Sequence, residues 1–380
     1  MKIIVLTPFY PPVVSGAGRY LADVCEGLVA AGHEVTVLMA QGEAATEVRN
    51  GVTVKTVRSR VRGGTSALMA VCALGLHIRR RADLVIAGTA YPGGVVGALV
   101  ARIIRLPLVV IAYGEDVSVG RTSRLARRCL PFVFRTARRT IAISEFTRRE
   151  VIAQGGPADR CSVLAPGIDV APFIVTGAAQ RDAFRERFGL RNQRVVLTVA
   201  RLDERKGHDI VLAAIHQLMP EFANLHYVVV GSGDTARLRG MAAGLGLSDR
   251  LTIIDYLGDD ELPDAYAAAD LFAMVSRPGP RGDVEGFGIV YLEAAASGLA
   301  CVAGELGGCG DAVVHGLTGL CVDPLDPTVV AGAMRQMLIA PELARKMGSE
   351  GKRRVQEGYQ RSSMQHEMTE LVDAAGAAAA

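Results

Sequence analysis

The sequence has no tryptophan, and tyrosine and phenylalanine bring its aromatic content to only 5%. A site built from stacked rings or an aromatic cage is therefore poorly supplied. No two cysteines stand at C-x-x-C spacing and no histidine stands at zinc-ligand spacing. The seven cysteines fit neither a disulfide framework nor a metal site, and they read as free thiols of a reducing cytoplasm. No D-x-D pair suited to a cation is present, so no metal is expected. Strong charge of either sign is also missing. A formal net charge of +3 is too mild to argue for nucleic acid as a partner. The longest apolar stretch, Val95 to Ala112, is interrupted by Arg102, Arg105 and Pro107, so a membrane-spanning helix of about 20 apolar residues is not expected. Met1 to Leu6 reads directly into a strand and not into a cleaved leader, which predicts a cytoplasmic protein.

What is present is material for packed cores. The 380 residues are 50% hydrophobic and 21% charged, and at about 150 residues per domain they suggest two domains. The 43 glycines fall at punctuated positions, which points to many turns and close backbone approaches. Lys2 to Leu6 is a short apolar run, followed by a Pro-rich loop, a helical pattern from Arg19 to Ala31 closed by Gly32, and a second strand from Glu34 to Leu38. Similar runs recur at Asp83 to Ala87, Leu108 to Ala112 and Thr140 to Ile143. Short strands buried on both faces belong to parallel sheets covered by helices. After the Pro- and Gly-containing segment Val163 to Phe173, a natural joint between domains, the pattern restarts. Strands are predicted at Arg194 to Val199, Leu225 to Val230, Leu251 to Ile254, Leu271 to Val275 and Ala300 to Ala303. Helices are predicted at Asp209 to Leu218, Ala236 to Leu245, Leu262 to Ala269 and Ile289 to Ser297. The tail from Pro341 is helical and charged, and its Ala-rich end, Ala374 to Ala380, is expected to fray. Open α/β domains bind ligands outside the carboxyl ends of their strands, so a site in a cleft between the two halves is the expectation.

Three constellations carry chemistry. Ser15-Gly16-Ala17-Gly18 lies between a strand and a helix, where backbone N–H groups favour an anion. It is not a dinucleotide fingerprint, because the third small position is Leu21; a plain tight turn is the alternative. Arg201, Lys206 and Gly207 follow the strand Val195 to Val199. The two cations can converge on a pyrophosphate, Arg through its planar fork and Lys as a point charge, or they form a solvated charged turn. Glu285 and Glu293 flank Gly-Phe-Gly-Ile-Val-Tyr-Leu. On one helix that offset is about 12 Å, too far to share a proton, and carboxylates beside phosphates make sense as acceptors for hydroxyls. A sugar on one side and a ribose on the other would satisfy both. Gly16, Gly207, Gly286 and Gly288 are expected to let the backbone meet a diphosphate-sugar.

Five motifs in order give the whole chain a resemblance: GHEV at Gly32 to Val35, AISEFT at Ala142 to Thr147, PGID at Pro166 to Asp169, RLDERKG from Arg201, and EGFGIVYLEAAASG at Glu285 to Gly298. It resembles the retaining glycosyltransferases of family 4 with the GT-B fold, two doubly wound Rossmann-like domains facing a central cleft. The bacterial lipid, polysaccharide and phosphatidylinositol mannosyltransferases are among them. The resemblance implies an acceptor-binding domain at 1–170, a nucleotide-sugar-binding domain at 171–360, and a terminal helix with a disordered tail at 361–380. It implies that Arg201 and Lys206 hold the donor diphosphate, Glu293 the ribose and Glu285 a hydroxyl of the transferred hexose. Backbone near Leu257 and Asp259 would meet the base, Gly288 and Ile289 the donor, and Gly16 the phosphate. Tyr113 stands where relatives commonly have a histidine near the reaction centre. It can donate a hydrogen bond but cannot become a cation near neutral pH. Asp255 replaces a usual Gly, and Asp311 a usual Glu.

The reaction implied is front-face transfer without a protein nucleophile or a cofactor, from GDP-mannose or a UDP-sugar. The run Asp283-Val284-Glu285-Gly286 resembles mannosyltransferases and favours the former. Arg121 to Arg139 is rich in arginine and has no acidic residue. It reads as docking to an anionic membrane surface, with Phe132 and Phe134 available to insert and a lipid acceptor to follow. A helix with a solvated basic face is the alternative. A nucleotide-sugar epimerase, and a non-catalytic nucleotide-sugar or lipid-surface binding protein, are the competing classes.

Overall fold

A computed structural model describes residues 1–13, 15–41, 45–58, 64–280 and 282–377. The chain forms two compact units, one of Met1–Gly167, Arg281–Gly286 and Arg361–Ala380, the other of Ile168–Pro280 and Phe287–Gln360.

The first unit begins with β1 (Lys2–Thr7), whose residues after Lys2 are all buried. Ser15 caps α1 (Gly16–Ala30) by accepting the Gly18 N–H at 2.9 Å. There follow β2 (Glu34–Met39), β3 (Thr46–Arg49), β4 (Val52–Thr56), α2 (Gly64–Arg80), β5 (Leu84–Ala87), α3 (Gly93–Ile104), β6 (Leu108–Ala112), α4 (Glu115–Thr122), α5 (Arg124–Thr136), β7 (Arg139–Ala142), α6 (Glu145–Ala153) and β8 (Cys161–Val163). The eight strands lie in the order β3-β4-β2-β1-β5-β6-β7-β8. All are parallel except the hairpin β3–β4, closed by Asn50 and Gly51 at φ 48° and 80°. Asn-Gly at positive φ is the turn that matches strand twist, and this hairpin was not among the predicted strands.

The second unit contains α7 (Ala171–Val175), α8 (Ala178–Arg187), β9 (Arg194–Val199), α9 (His208–Leu218), β10 (Leu225–Val230), α10 (Thr235–Gly244), β11 (Leu251–Ile254), α11 (Leu262–Ala267), β12 (Leu271–Met274), α12 (Ile289–Ala296), β13 (Cys301–Gly304), α13 (Cys309–Ala312), β14 (Gly319–Val322), α14 (Pro327–Ile339) and α15 (Pro341–Gly358). Its six strands run β11-β10-β9-β12-β13-β14, all parallel. Leu197, Leu212, Tyr227, Val302 and Met334 are buried in it.

The last helix, α16 (Arg361–Ala377), belongs to the first unit and packs on α1, with Met364, Met368, Val372 and Ala375 buried. This corrects the expected disordered tail: the helix runs to Ala377, and Ala375 is only 3% exposed. Alanine is the best helix former, and here one face of the Ala-rich stretch is buried. Residues 378–380 lie outside the described residues.

In both sheets the strand order reverses direction once near the middle, between β1 and β5 and between β9 and β12. Ligands of open α/β sheets bind at such switch points, beyond the carboxyl ends of the strands.

Candidate active site

In the second unit the switch point carries the cation loop. β9 ends at Val199, and Arg201 to Lys206 form an irregular turn before α9. Gly207, at φ 74°, joins that turn to the helix. A β-carbon there would collide with the Val275 carbonyl oxygen just past β12, so the glycine lets the loop seat on the neighbouring strand. A second pair, Gly231 and Gly233 after β10, carries no sequence signal of its own and closes on the same loop from the other side. A β-carbon on Gly231 would strike the Ala200 carbonyl, and one on Gly233 would crowd Leu202. The Leu202 N–H donates to the Ser232 carbonyl at 2.9 Å.

Beneath the loop runs a buried polar chain. His208 Nε2 lies 3.0 Å from the Arg201 carbonyl oxygen, and His208 Nδ1 lies 3.2 Å from the Tyr227 hydroxyl. Tyr227 in turn lies 2.9 Å from Thr198 Oγ1, which donates to the Ala273 carbonyl. Since a carbonyl only accepts, His208 Nε2 carries a proton. Burial lowers the His208 pKa. Both ring nitrogens are engaged within the protein, so His208 holds the loop backbone. Arg201 itself is 67% exposed on its side chain, with Asp203 Oδ2 at 3.4 Å. Arg205 is buried, and its carbonyl accepts the Arg277 N–H at 2.8 Å.

Glu293 stands on the second turn of α12, and Glu285 lies before that helix, in a segment that belongs to the first unit. Glu293 is 2% exposed, and its Oε2 accepts the Tyr266 hydroxyl at 2.8 Å. Gly288, at φ 89°, starts α12, and Ile289 is its first residue. Leu257 and Asp259 lie between β11 and α11, Leu257 buried and Asp259 exposed. The second unit thus carries Arg201, Lys206, Gly288, Ile289 and Glu293 in the segments that follow β9 and β12, with Leu257 and Asp259 in the connection after β11.

The first unit holds the other expected residues. Gly16 is exposed at the start of α1, with open space where a β-carbon would point. Tyr113 follows β6, and it is 6% exposed, packed edge-on against Tyr20 with ring centroids 5.8 Å apart. Its hydroxyl has no hydrogen-bond partner among the described residues. The ring is thus enclosed in the first unit. Its backbone is engaged as well. Its N–H donates to Asp116 Oδ1 at 2.8 Å, while Asp116 Oδ2 takes the Ala90 N–H at 2.6 Å. Burial pushes the Asp116 carboxyl up to about 7, against the lowering effect of those two bonds. A β-carbon on Gly286 would collide with the Tyr113 carbonyl oxygen. Gly286 and Gly207 thus pack closely on protein backbone, whereas Gly16 has open space at its β-carbon position.

The basic segment divides. Leu130, Val133 and Phe134 of α5 enter the core, with Phe132 packed against it, so the aromatics are not available to insert. Arg124, Arg127, Arg128 and Arg135 lie on α5, and Arg121 pairs with Glu150. Among the described residues no cluster of three His, Cys, Asp or Glu is placed to hold a metal ion, and no helix is long and apolar enough to cross a membrane.

Comparison with known proteins decides the family. The Glycosyl transferase 4-like domain model matches residues 15–167, and the Glycosyl transferases group 1 model matches residues 180–354. A GDP-mannose-dependent alpha-(1-6)-phosphatidylinositol monomannoside mannosyltransferase of Mycolicibacterium smegmatis is 30% identical over 97% of this chain and 98% of its own. The chain belongs to glycosyltransferase family 4. The enzyme of the same description from Mycobacterium tuberculosis is 37% identical to this glycosyltransferase over 55% of each chain. Among solved structures, Anabaena HepE in complex with UDP superposes with a TM-score of 0.84 at 23% identity, covering 98% of this chain and 100% of that one. Sucrose-phosphate synthase from Thermosynechococcus elongatus gives 0.84 at 21% identity, covering 100% of both. These share the GT-B fold, two parallel-sheet α/β domains. This glycosyltransferase uses a nucleotide-sugar donor.

Proposed function

We propose that this glycosyltransferase moves mannose from GDP-mannose to a hydroxyl of a lipid or lipid-linked acceptor with retention of configuration, UDP-hexoses being the alternative donors. The observation that carries the reading is the cation loop: an exposed Arg201 on a backbone fixed by His208, Tyr227, Gly207 and Gly231 at the switch point of the second sheet. The full-length relative whose name specifies GDP-mannose and a phosphatidylinositol monomannoside supports the donor and acceptor classes.

In this mechanism the bond from the anomeric carbon to the diphosphate oxygen breaks. The acceptor oxygen bonds to that carbon on the same face, and its proton passes to the departing phosphate oxygen. No metal is required, because Arg201 and Lys206 stabilise the charge growing on the leaving diphosphate. Such stabilisation is strongest where the donors are already in place and need no reorganisation. Glu293 accepts from the ribose, and Glu285 accepts from a hydroxyl of the hexose. Backbone at Leu257 and Asp259 meets the base, Gly288 and Ile289 the donor, and Gly16 its phosphate. The Tyr113 hydroxyl donates a hydrogen bond to the transferred sugar, while its carbonyl seats Gly286 beside Glu285.

The acceptor reading joins to a surface. The helices α2, α3 and α5, of which α3 packs against both others, contain no Asp or Glu. They expose Val71, Ile78, Ile103 and Leu125 among arginines. Such a face suits an anionic bilayer, to which each basic residue near the surface contributes about 1 kcal/mol. The protein is then cytoplasmic and peripheral, on the inner face of the plasma membrane.

The test is incubation of the purified enzyme with labelled GDP-mannose, UDP-glucose and UDP-galactose and an extracted lipid fraction. Mannosylated lipid with an α-anomeric signal by NMR is expected. A β-linked product, or nucleoside diphosphate release that is the same without acceptor, would overturn the reading.

A further inference from the structure

Glu293 reaches its place through a residue outside the motifs and the mechanism described so far. Tyr266 sits on α11, the helix that begins shortly after the segment carrying Leu257 and Asp259. The ring is fully buried and lies against two others, with Phe173 at 5.7 Å edge-on and Phe272 at 5.8 Å. Its hydroxyl donates to Glu293 Oε2 at 2.8 Å and lies 3.5 Å from the Val290 carbonyl, about one turn earlier on α12.

A glutamate has three rotatable side-chain bonds, and fixing them costs conformational entropy. A buried carboxylate in a low-dielectric interior also requires hydrogen-bond donors. A phenol held by neighbouring rings supplies a donor whose own position is set by packing, and its bond to an ionised acceptor is stronger than a neutral one. The tie runs from α11 to α12, helices separated in the sequence by β12 and the loop after it.

We propose that Tyr266 is the positioning residue for Glu293: it fixes the carboxylate orientation that accepts the ribose hydroxyls of the nucleotide, and so sets the enzyme's preference for ribonucleotides over deoxyribonucleotides. This rests on the reading of Glu293 as the ribose acceptor. It goes beyond that reading in assigning sugar discrimination to a residue that never touches the ligand.

The experiment is calorimetric titration of the full chain with GDP and UDP and with their 2′-deoxy and 3′-deoxy forms. The wild type is expected to prefer the ribose form by about tenfold or more, the scale of a hydrogen bond to a charged group. Glu293→Gln should abolish most of that ratio. Tyr266→Phe should reduce it severalfold while leaving affinity for the deoxy forms within about twofold. If Glu293→Gln leaves the ratio intact, the ribose reading fails and this proposal falls with it. If Glu293→Gln removes the ratio but Tyr266→Phe retains it, the positioning role alone is refuted. It is refuted equally if Tyr266→Phe weakens binding of ribose and deoxy forms by the same factor. Should Tyr266→Phe not fold, 3-fluorotyrosine at this position keeps the ring and makes the phenol a stronger donor. The ratio is then expected to rise, and an unchanged ratio overturns the proposal.

Discussion

Gly207 excludes a side chain twice, by its left-handed backbone and by the Val275 carbonyl. Gly207→Ala should cost at least about 1–2 kcal/mol from the backbone conformation alone, read as a lower urea midpoint, and should also displace the cation loop. Arg201 behaves differently because it is exposed. Arg201→Ala should keep the thermal midpoint of the wild type and lower kcat by about 10² to 10³, the scale of losing one preorganised donor, in steady-state assays with the cognate donor; Lys206→Ala should lower kcat on the same scale. Arg201 and Lys206 were legible in the sequence because a cationic turn after an apolar strand is a local signal. Tyr266, Tyr227 and Thr198 were not. Their partners lie 27 and 29 residues away, and nothing local distinguishes a tyrosine that orients a carboxylate from one that fills a core.

The strands and helices of the second unit were mostly readable from apolar runs and from helical spacing closed by glycine. The hairpin of β3 and β4 was not read, because β3 is polar and largely exposed. The Asn50-Gly51 turn was its available signal. His226 on β10 illustrates how a buried element acquires pH dependence. Burial, reinforced by Arg250, pulls its pKa down to about 4, and its Nε2 lies 2.9 Å from Thr252 Oγ1 on β11. The unfolded chain takes up that proton near the ordinary value of about 6.5, so stability is lost as pH falls from about 6.5 toward 4. His226→Gln should flatten that part of the thermal midpoint-against-pH curve by a few degrees relative to the wild type. At the other end of the chain, Met368 of α16 is fully buried. Met368→Ala should cost about 2–5 kcal/mol in a denaturation experiment, whereas a helix not docked on α1 would tolerate it without change.

For the molecule as a whole, a near-neutral net charge conceals its distribution. The helices α2, α3 and α5 of the first unit carry arginines and no acidic residue. Charge reversal at Arg124, Arg127 and Arg128 together should reduce co-sedimentation with phosphatidylserine-containing vesicles by about tenfold or more, and raised salt should mimic it. Sedimentation unaffected by either would remove the docking reading. The two-domain organisation was legible, but the return of the chain to the first unit was not, since nothing in an amphipathic helix states which core it will cover.

That return sets an order of assembly on the ribosome. The second unit has been synthesised in full before α16 begins, so it can fold while the first still lacks the helix that covers α1. Until α16 arrives, the side of α1 that receives it is bare. A translation arrest after Gln360 would therefore leave a nascent chain with one finished unit and one sticky one, the kind of partial fold that chaperones hold.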